Sequence, residues 1–311
     1  MSNRASVIIF SVGLLVTLVG CGAEAAPILA SEPPAPPPAT GAIVLADISD
    51  EPVKKIKRFQ PLADYLASHL SEFDIGVGEV KIAPDRETMA SWLASGEVDL
   101  YFDSPFPAMV VSNQSGALPI LRRWKGGDAE YYSVFFARTD SDLVSLDDLK
   151  GQVIAFEEPN STSGFMLPMV HLLKAGLNPV EKRGLDAHPA EDEVGYVFSR
   201  DDESTIQWVI TGRVVAGVTD SRSFRKLSEE TRSTFNVISE TEAVARQVVV
   251  VHPNMDSALL DTIESLLVDM DETNEGRAVL DKFKTTQFDA FPAGDATLAR
   301  MREMYQRVQS K

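Results

Sequence analysis

Three hydroxylated residues and a glycine, Ser161-Thr162-Ser163-Gly164, stand between the apolar run Val153–Phe156 and a helical pattern that begins near Phe165. A strand feeding such a stretch into a helix N-terminus gathers hydroxyls and unpaired backbone N–H groups around one point. That is the chemistry of a tetrahedral oxyanion site, in which the helix dipole favours negative charge and no Lys or Arg is needed. The same residues also suit an ordinary helix cap. Acids and a further hydroxyl collect at other element ends: Asp103 and Ser104 after Val98–Phe102, Asp220 after Val214–Val218, and Asp201, Asp202 and Glu203 before the helix at 204–211. A carboxylate facing the ligand accepts a proton from a hydrogen-oxyanion or pairs with a ligand amine, while Arg200 is a possible source of positive charge. Capping of the helix at 204 is the competing role for the three acids there.

Other chemistries lack their residues. His69, His171, His188 and His252 are far apart and form no metal-ligand pair. Ser163-Gly164 lacks the Gly-x-Ser-x-Gly elbow of a serine hydrolase. Glu157 and Glu158 are adjacent, so only one of them can face a cleft from a strand end. Lys125-Gly126-Gly127 reads as a turn, and no glycine-rich nucleotide motif occurs, so no cofactor is expected.

The 311 residues allow one large domain or two ordinary ones. With 29 Lys+Arg against 46 Asp+Glu, the net charge is −17, which argues against nucleic acid as a partner, because a phosphate backbone is bound by clustered cations. One cysteine excludes an internal disulfide and any multi-cysteine metal site. It lies at Leu18-Val19-Gly20-Cys21, after a basic start and an apolar run, Val7–Val19, shorter than the ~20 residues that span a bilayer. Residues 1–20 therefore read as a signal peptide, and the tetrapeptide resembles the bacterial lipobox, which implies lipidation of Cys21 and a membrane-anchored, extracytoplasmic protein. Residues 21–41 hold six of the 18 prolines and form an extended tether.

From Ala42 the chain alternates buried strands and amphipathic helices, the pattern of an α/β protein. Strands are expected at 43–48, 77–82, 98–102, 118–121, 131–138, 153–156, 214–218 and 245–251. Helices are expected at 55–70, with Pro61 in the first regular turn, at 86–95, at 204–211 and through most of 256–311. The β/α pattern restarts after Arg138, which marks a second lobe, and 245–251 is a matching return strand.

Glu158-Pro159-Asn160-Ser161-Thr162-Ser163-Gly164, with Pro168, resembles the D-P-x-S-T-S-G stretch of the PhnD-like phosphonate, phosphite and phosphate-binding proteins that serve ABC importers. Pro61-Leu62-Ala63-Asp64-Tyr65-Leu66, Gly96-Glu97-Val98-Asp99-Leu100, Leu146-Asp147-Asp148-Leu149-Lys150-Gly151 and Phe288-Asp289-Ala290-Phe291 agree in order over 42–300. The resemblance implies a type II periplasmic-binding fold: two α/β lobes, joined by two crossing strands, closing on a ligand in the cleft. The lobes would be 42–136 with 245–311, and 137–244. It also implies ligand contacts through Ser161, Thr162, Ser163 and Gly164, a tyrosine from the first lobe, and acids from the second. The chain departs from the family where Ser104-Pro105-Phe106-Pro107-Ala108 replaces Gly-Pro-x-x-Tyr, and where Ser199-Arg200-Asp201 lacks the usual Ser-His pair. Tyr131 or Tyr132 is expected to supply the missing ring, and Tyr132, Asp103, Ser104, Asp202 and Asp220 complete the expected site. The implied function is delivery of a small anionic or zwitterionic ligand to an ABC permease. The alternative is presentation of the closed form to a membrane sensor, with hydrolase activity a third class.

Overall fold

Apolar β-branched runs such as Ile43–Ile48 and Gln247–Val251 have no polar face, so they belong in strands covered on both sides. The computed structural model describes residues 39–311. The signal peptide, Cys21 and all but the end of the proline-rich tether lie outside the described residues. Strands and helices assemble into two six-stranded sheets and a separate two-stranded ribbon.

The first sheet has the order Thr285–Asp289, Leu118–Lys125, Gln247–Val251, Leu100–Asp103, Gly41–Ile48, Ile75–Ala83. Gly41–Ile48 runs parallel to both neighbours, and Gln247–Val251 is antiparallel to Leu100–Asp103 and to Leu118–Lys125. The carboxyl ends at Ile48, Asp103 and Lys125, and the start at Gln247, therefore share one edge. Helix Pro52–His69 buries Phe59, Leu62, Ala63 and Leu66 against this sheet. Gly78 admits the helix backbone, since a Cβ there would lie 2.3 Å from the Ala63 carbonyl carbon. Pro61 lies in the helix interior rather than its first turn. It deprives only the Lys57 carbonyl of a partner, and Lys57 is exposed to solvent. Asp99, just before the third strand, accepts a 2.7 Å hydrogen bond from the Val44 amide and faces His252 at 3.6 Å. Its carboxylate ties two strands together.

The second sheet has the order Phe235–Glu240, Ser133–Arg138, Ala216–Asp220, Val153–Phe156, Glu193–Phe198, Asn178–Glu181. The last four are mutually parallel, whereas Ser133–Arg138 is antiparallel to Ala216–Asp220, with Ser133 opposite Asp220. Phe156, Asp220 and Ser133 thus share a second edge. Between the sheets the chain crosses twice, at Glu130–Tyr131 and Val244–Ala245, which pair antiparallel. The first crossing comes earlier than the boundary at 136/137 that the resemblance implies. The strand 133–138 is apolar because it is buried inside the second sheet, not because it closes the first.

Helix Asp295–Gln309 was expected to belong with the first lobe, but it packs on both sides. Met301 joins residues of the first sheet, while Met304 and Val308 join those of the second. None of the described helices is long and apolar enough to cross a membrane.

Candidate functional site

The strand Val153–Phe156 ends at Glu157, and a turn leads to Ser161, whose side chain accepts the Gly164 amide hydrogen at 2.9 Å and so caps the next helix. That helix opens with a wide π-type turn, Thr162–Met166, before Leu167–Lys174. The wide turn leaves the Thr162 and Ser163 amides without an acceptor among the described residues. A Cβ on Gly164 would lie 2.2 Å from Glu157 Cβ, so only glycine lets the loop fold back on its own strand.

Thr162 and Ser163 are buried between the sheets. Thr162 Oγ1 accepts a 2.8 Å hydrogen bond from the Phe106 amide in the first turn of helix Pro105–Ser115, which joins the two lobes. The Ser133 hydroxyl donates to the Ser163 carbonyl at 2.6 Å. The buried Tyr131 hydroxyl, on the first crossing strand, faces the Thr162 and Ser163 hydroxyls. The adjacent Tyr132, the residue expected in the site, instead packs among second-lobe apolar residues, and its amide and carbonyl both bond to Ser221. A one-residue step along a strand reverses the side chain's face, so Tyr131 takes the position expected for Tyr132.

The acids behave differently from one another. Ser161 Oγ donates to Glu157 Oε2 at 2.6 Å. Burial, together with the charges of Asp202, Glu158 and Asp220, pushes Glu157 up to about 7. Asp220 caps helix Ser221–Lys226. Burial raises its carboxyl, but the Ser223 hydroxyl and amide, Asp202 and the Arg222 amide together bring it below the usual range. Asp202 accepts from Thr219 Oγ1 at 2.6 Å and from Ser223 Oγ at 2.9 Å, and burial holds it above its ordinary value. Asp201 caps the helix Asp202–Ile210 through Ser204. Asp202 and Asp220 thus line the second lobe beside Glu157 but already hold protein partners.

Opposite them, Asp103 accepts the Tyr101 hydroxyl at 2.5 Å and the Ser104 amide at 2.6 Å. Burial and the neighbouring Asp47 raise its carboxyl. Asp103, Ser104, Pro107 and Arg86 of the first lobe, and Glu158, Asn160 and Ser161 of the second, surround a cavity of about 400 Å³. Burial and Asp103 across this cavity raise Glu158. A third region depends on strand pairing and has no local signal in the sequence. Lys125 and Arg246 both stand at the carboxyl edge of the first sheet, near enough that the charge of Arg246 acts on Lys125, and Arg246 stacks over the Tyr131 ring at 4.5 Å. They are far apart in sequence, and only the antiparallel pairing of their strands brings them together.

The arrangement can hold an oxyanion on hydroxyls and amides from the second lobe, with mixed charge facing it from the first. Among the described residues, no cluster of His, Cys, Asp and Glu fits a metal ion.

Residues 46–295 match the family model described as ABC transporter, phosphonate, periplasmic substrate-binding protein. The phosphate-import protein PhnD of Mycolicibacterium smegmatis is 36% identical over 110 residues, 34% of this chain and 33% of that protein. The chain thus matches about a third of the length of that relative. The Xanthomonas citri protein XAC2383 is 28% identical, with 86% of this chain and 98% of that chain covered. Its TM-score is 0.78 in the structure bound to chloride ion and 0.77 in that bound to ATP. PhnD1 from Prochlorococcus marinus, solved in complex with methylphosphonate, is similar in fold. It has 19% identity and TM-score 0.60, over 86% of this chain and 98% of that chain.

Proposed function

The chain belongs to the periplasmic substrate-binding proteins of phosphonate ABC transporters, and we propose that it captures a small phosphonate- or phosphate-class oxyanion by lobe closure and hands it to an importer. The observation that carries this reading is the Ser161–Gly164 loop, whose Thr162 and Ser163 amides have no acceptor among the described residues and whose hydroxyls lie where the second lobe meets Phe106 of the first. Oxyanion binding at a helix N-terminus needs those donors and little else. Closure is a hinge motion about the paired crossings at 130–131 and 244–245. The acids Asp103 and Glu158 beside the loop favour a ligand that also carries an amine, so aminophosphonates are the first compounds to test.

Thermal-shift screening of the purified chain against phosphate, methylphosphonate and 2-aminoethylphosphonate tests the reading, because a ligand that binds only the folded state raises the melting temperature. Ser161→Ala combined with Ser163→Ala is expected to weaken oxyanion binding at least about tenfold. Unaltered affinity in this double variant would refute the loop's role. A longer phosphorylated ligand is the second reading. It is supported by the ATP-bound relative and by the cavity that runs from Ser161 to Arg86, and ATP belongs in the same screen.

Delivery to a permease is preferred over a membrane sensor because the family is one of transporter components. Anchoring through Cys21 completes the proposal. Cys21→Ser should move the protein from the membrane to the soluble extracytoplasmic fraction, and continued sedimentation with membranes would exclude the anchor.

A further inference from the structure

The first lobe presents two basic side chains that form no salt bridge among the described residues, although Asp103 lies near enough to act on Lys125. Lys125 ends the strand Leu118–Lys125, and Arg246 stands between the second crossing and the strand Gln247–Val251. Both strand ends lie on the cleft edge of the first sheet. No carboxylate of the described residues comes within 4 Å of either cation, although the chain has 46 acids. The buried Arg246 Nε has no hydrogen-bond partner among the described residues. The neighbouring Arg123 is in a different situation, since its guanidinium is engaged by Thr285 Oγ1, Gln247 Oε1 and the Phe283 carbonyl. Arg123 is therefore structural, and Lys125 and Arg246 are left over. Arg246 is also placed against the anion loop, because the tyrosine ring beneath it carries the hydroxyl that faces Thr162 and Ser163.

We propose that Lys125 and Arg246 are the first lobe's counter-charge for the oxyanion held by residues 161–164, and that they select a doubly charged anion over a singly charged one. This rests on the oxyanion reading of the loop. An unneutralised half-buried cation is costly, and an anion placed between the two lobes relieves that cost only when the cleft is shut. Burial and the charges of Arg246 and Arg123 push Lys125 down to about 7, against the opposing pull of Asp103, so at about pH 8 the empty site holds mostly the neutral amine and an arriving anion draws a proton onto it.

The test compares two ligands of nearly one shape, methylphosphonate and methanesulfonate, titrated calorimetrically into the full chain at about pH 8, where the first is largely a dianion and the second a monoanion. The native chain is expected to prefer methylphosphonate by at least about tenfold, and Lys125→Met and Arg246→Gln each to reduce that ratio to within about twofold. Arg246→Lys should restore most of it. Loss of the Arg246 stacking on Tyr131 could unfold the glutamine variant, and Lys125→Met then decides the matter. A ratio that stays at the native value in Lys125→Met overturns the assignment, as does a native chain that binds the two ligands equally. The loop's role survives both of those results. If the native chain binds no oxyanion at all, the loop reading fails and the assignment fails with it.

Discussion

Glu157 is the residue whose charge state the site controls most directly. Its folded-state value, about 7, lies above the ordinary 4.5, so the folded protein holds a proton that the unfolded chain has released between those two pH values. Its contribution to stability is therefore fully present below about pH 4.5 and is lost as the pH rises towards 7. An incoming anion prefers the protonated carboxyl, so oxyanion affinity should fall as Glu157 ionises. Glu157→Gln keeps an acceptor for the Ser161 hydroxyl and removes the charge. The ratio of variant to native affinity should rise about tenfold between pH 6 and 8.5, and taking the ratio at each pH cancels the ligand's own ionisation. A ratio that is flat with pH would show that Glu157 does not titrate against the anion. The sequence displayed the hydroxyl loop and the acids because each stands after a strand or before a helix that the local pattern marks. It hid Lys125 and Arg246, whose proximity depends on strand register, and it left Tyr131 and Tyr132 open because a strand's phase cannot be read from two adjacent tyrosines.

At the level of elements, local pattern and observed structure agree where the local signals are complete. The strand at 153–156 and the helix at 86–95 have the boundaries that their apolar runs and the closing Gly96 predict. Disagreement arises where a tertiary contact overrides the local rule. Pro61 persists within its helix because the orphaned carbonyl is on the wet side, and the first crossing lies ahead of 133–138 because that strand enters the second sheet. The close seat of helix Pro52–His69 on strand Ile75–Ala83 depends on Gly78 having no side chain, and its carbonyl also accepts from Gln60 Nε2 at 2.8 Å. Gly78→Ala should cost about 1–3 kcal/mol in urea unfolding, through overpacking of backbone on backbone. A change below about 0.5 kcal/mol would mean that the helix shifts freely to make room.

Across the whole molecule, the two lobes are also bridged by ion pairs beside the crossing strands. Asp128, just before the first crossing, pairs with Arg225 at 3.3 Å and lies 3.7 Å from Arg222, both on a second-lobe helix. Arg222 also donates to the Lys125 carbonyl at 3.4 Å. Gly126 leaves space for it, since a Cβ there would lie 2.4 Å from Nη1, and its φ of +66° is itself a glycine conformation. Asp128→Ala should shift the ligand-free chain toward the open form and speed ligand release several-fold, an effect that shrinks in high salt as exposed ion pairs do. Stopped-flow release rates measured at low and high ionic strength check it, and identical rates in variant and native protein would remove this pair from the closure mechanism. The helix Asp295–Gln309 has a different consequence. Two crossing strands alone define an axis about which the lobes can swing widely, but a helix seated on both lobes sets a mechanical stop. Opening beyond that stop must peel Met301 from one side or Met304 and Val308 from the other. The unliganded protein should therefore show a narrow spread of interlobe distances between paired spin labels, that of a door on a chain and not of one swinging free.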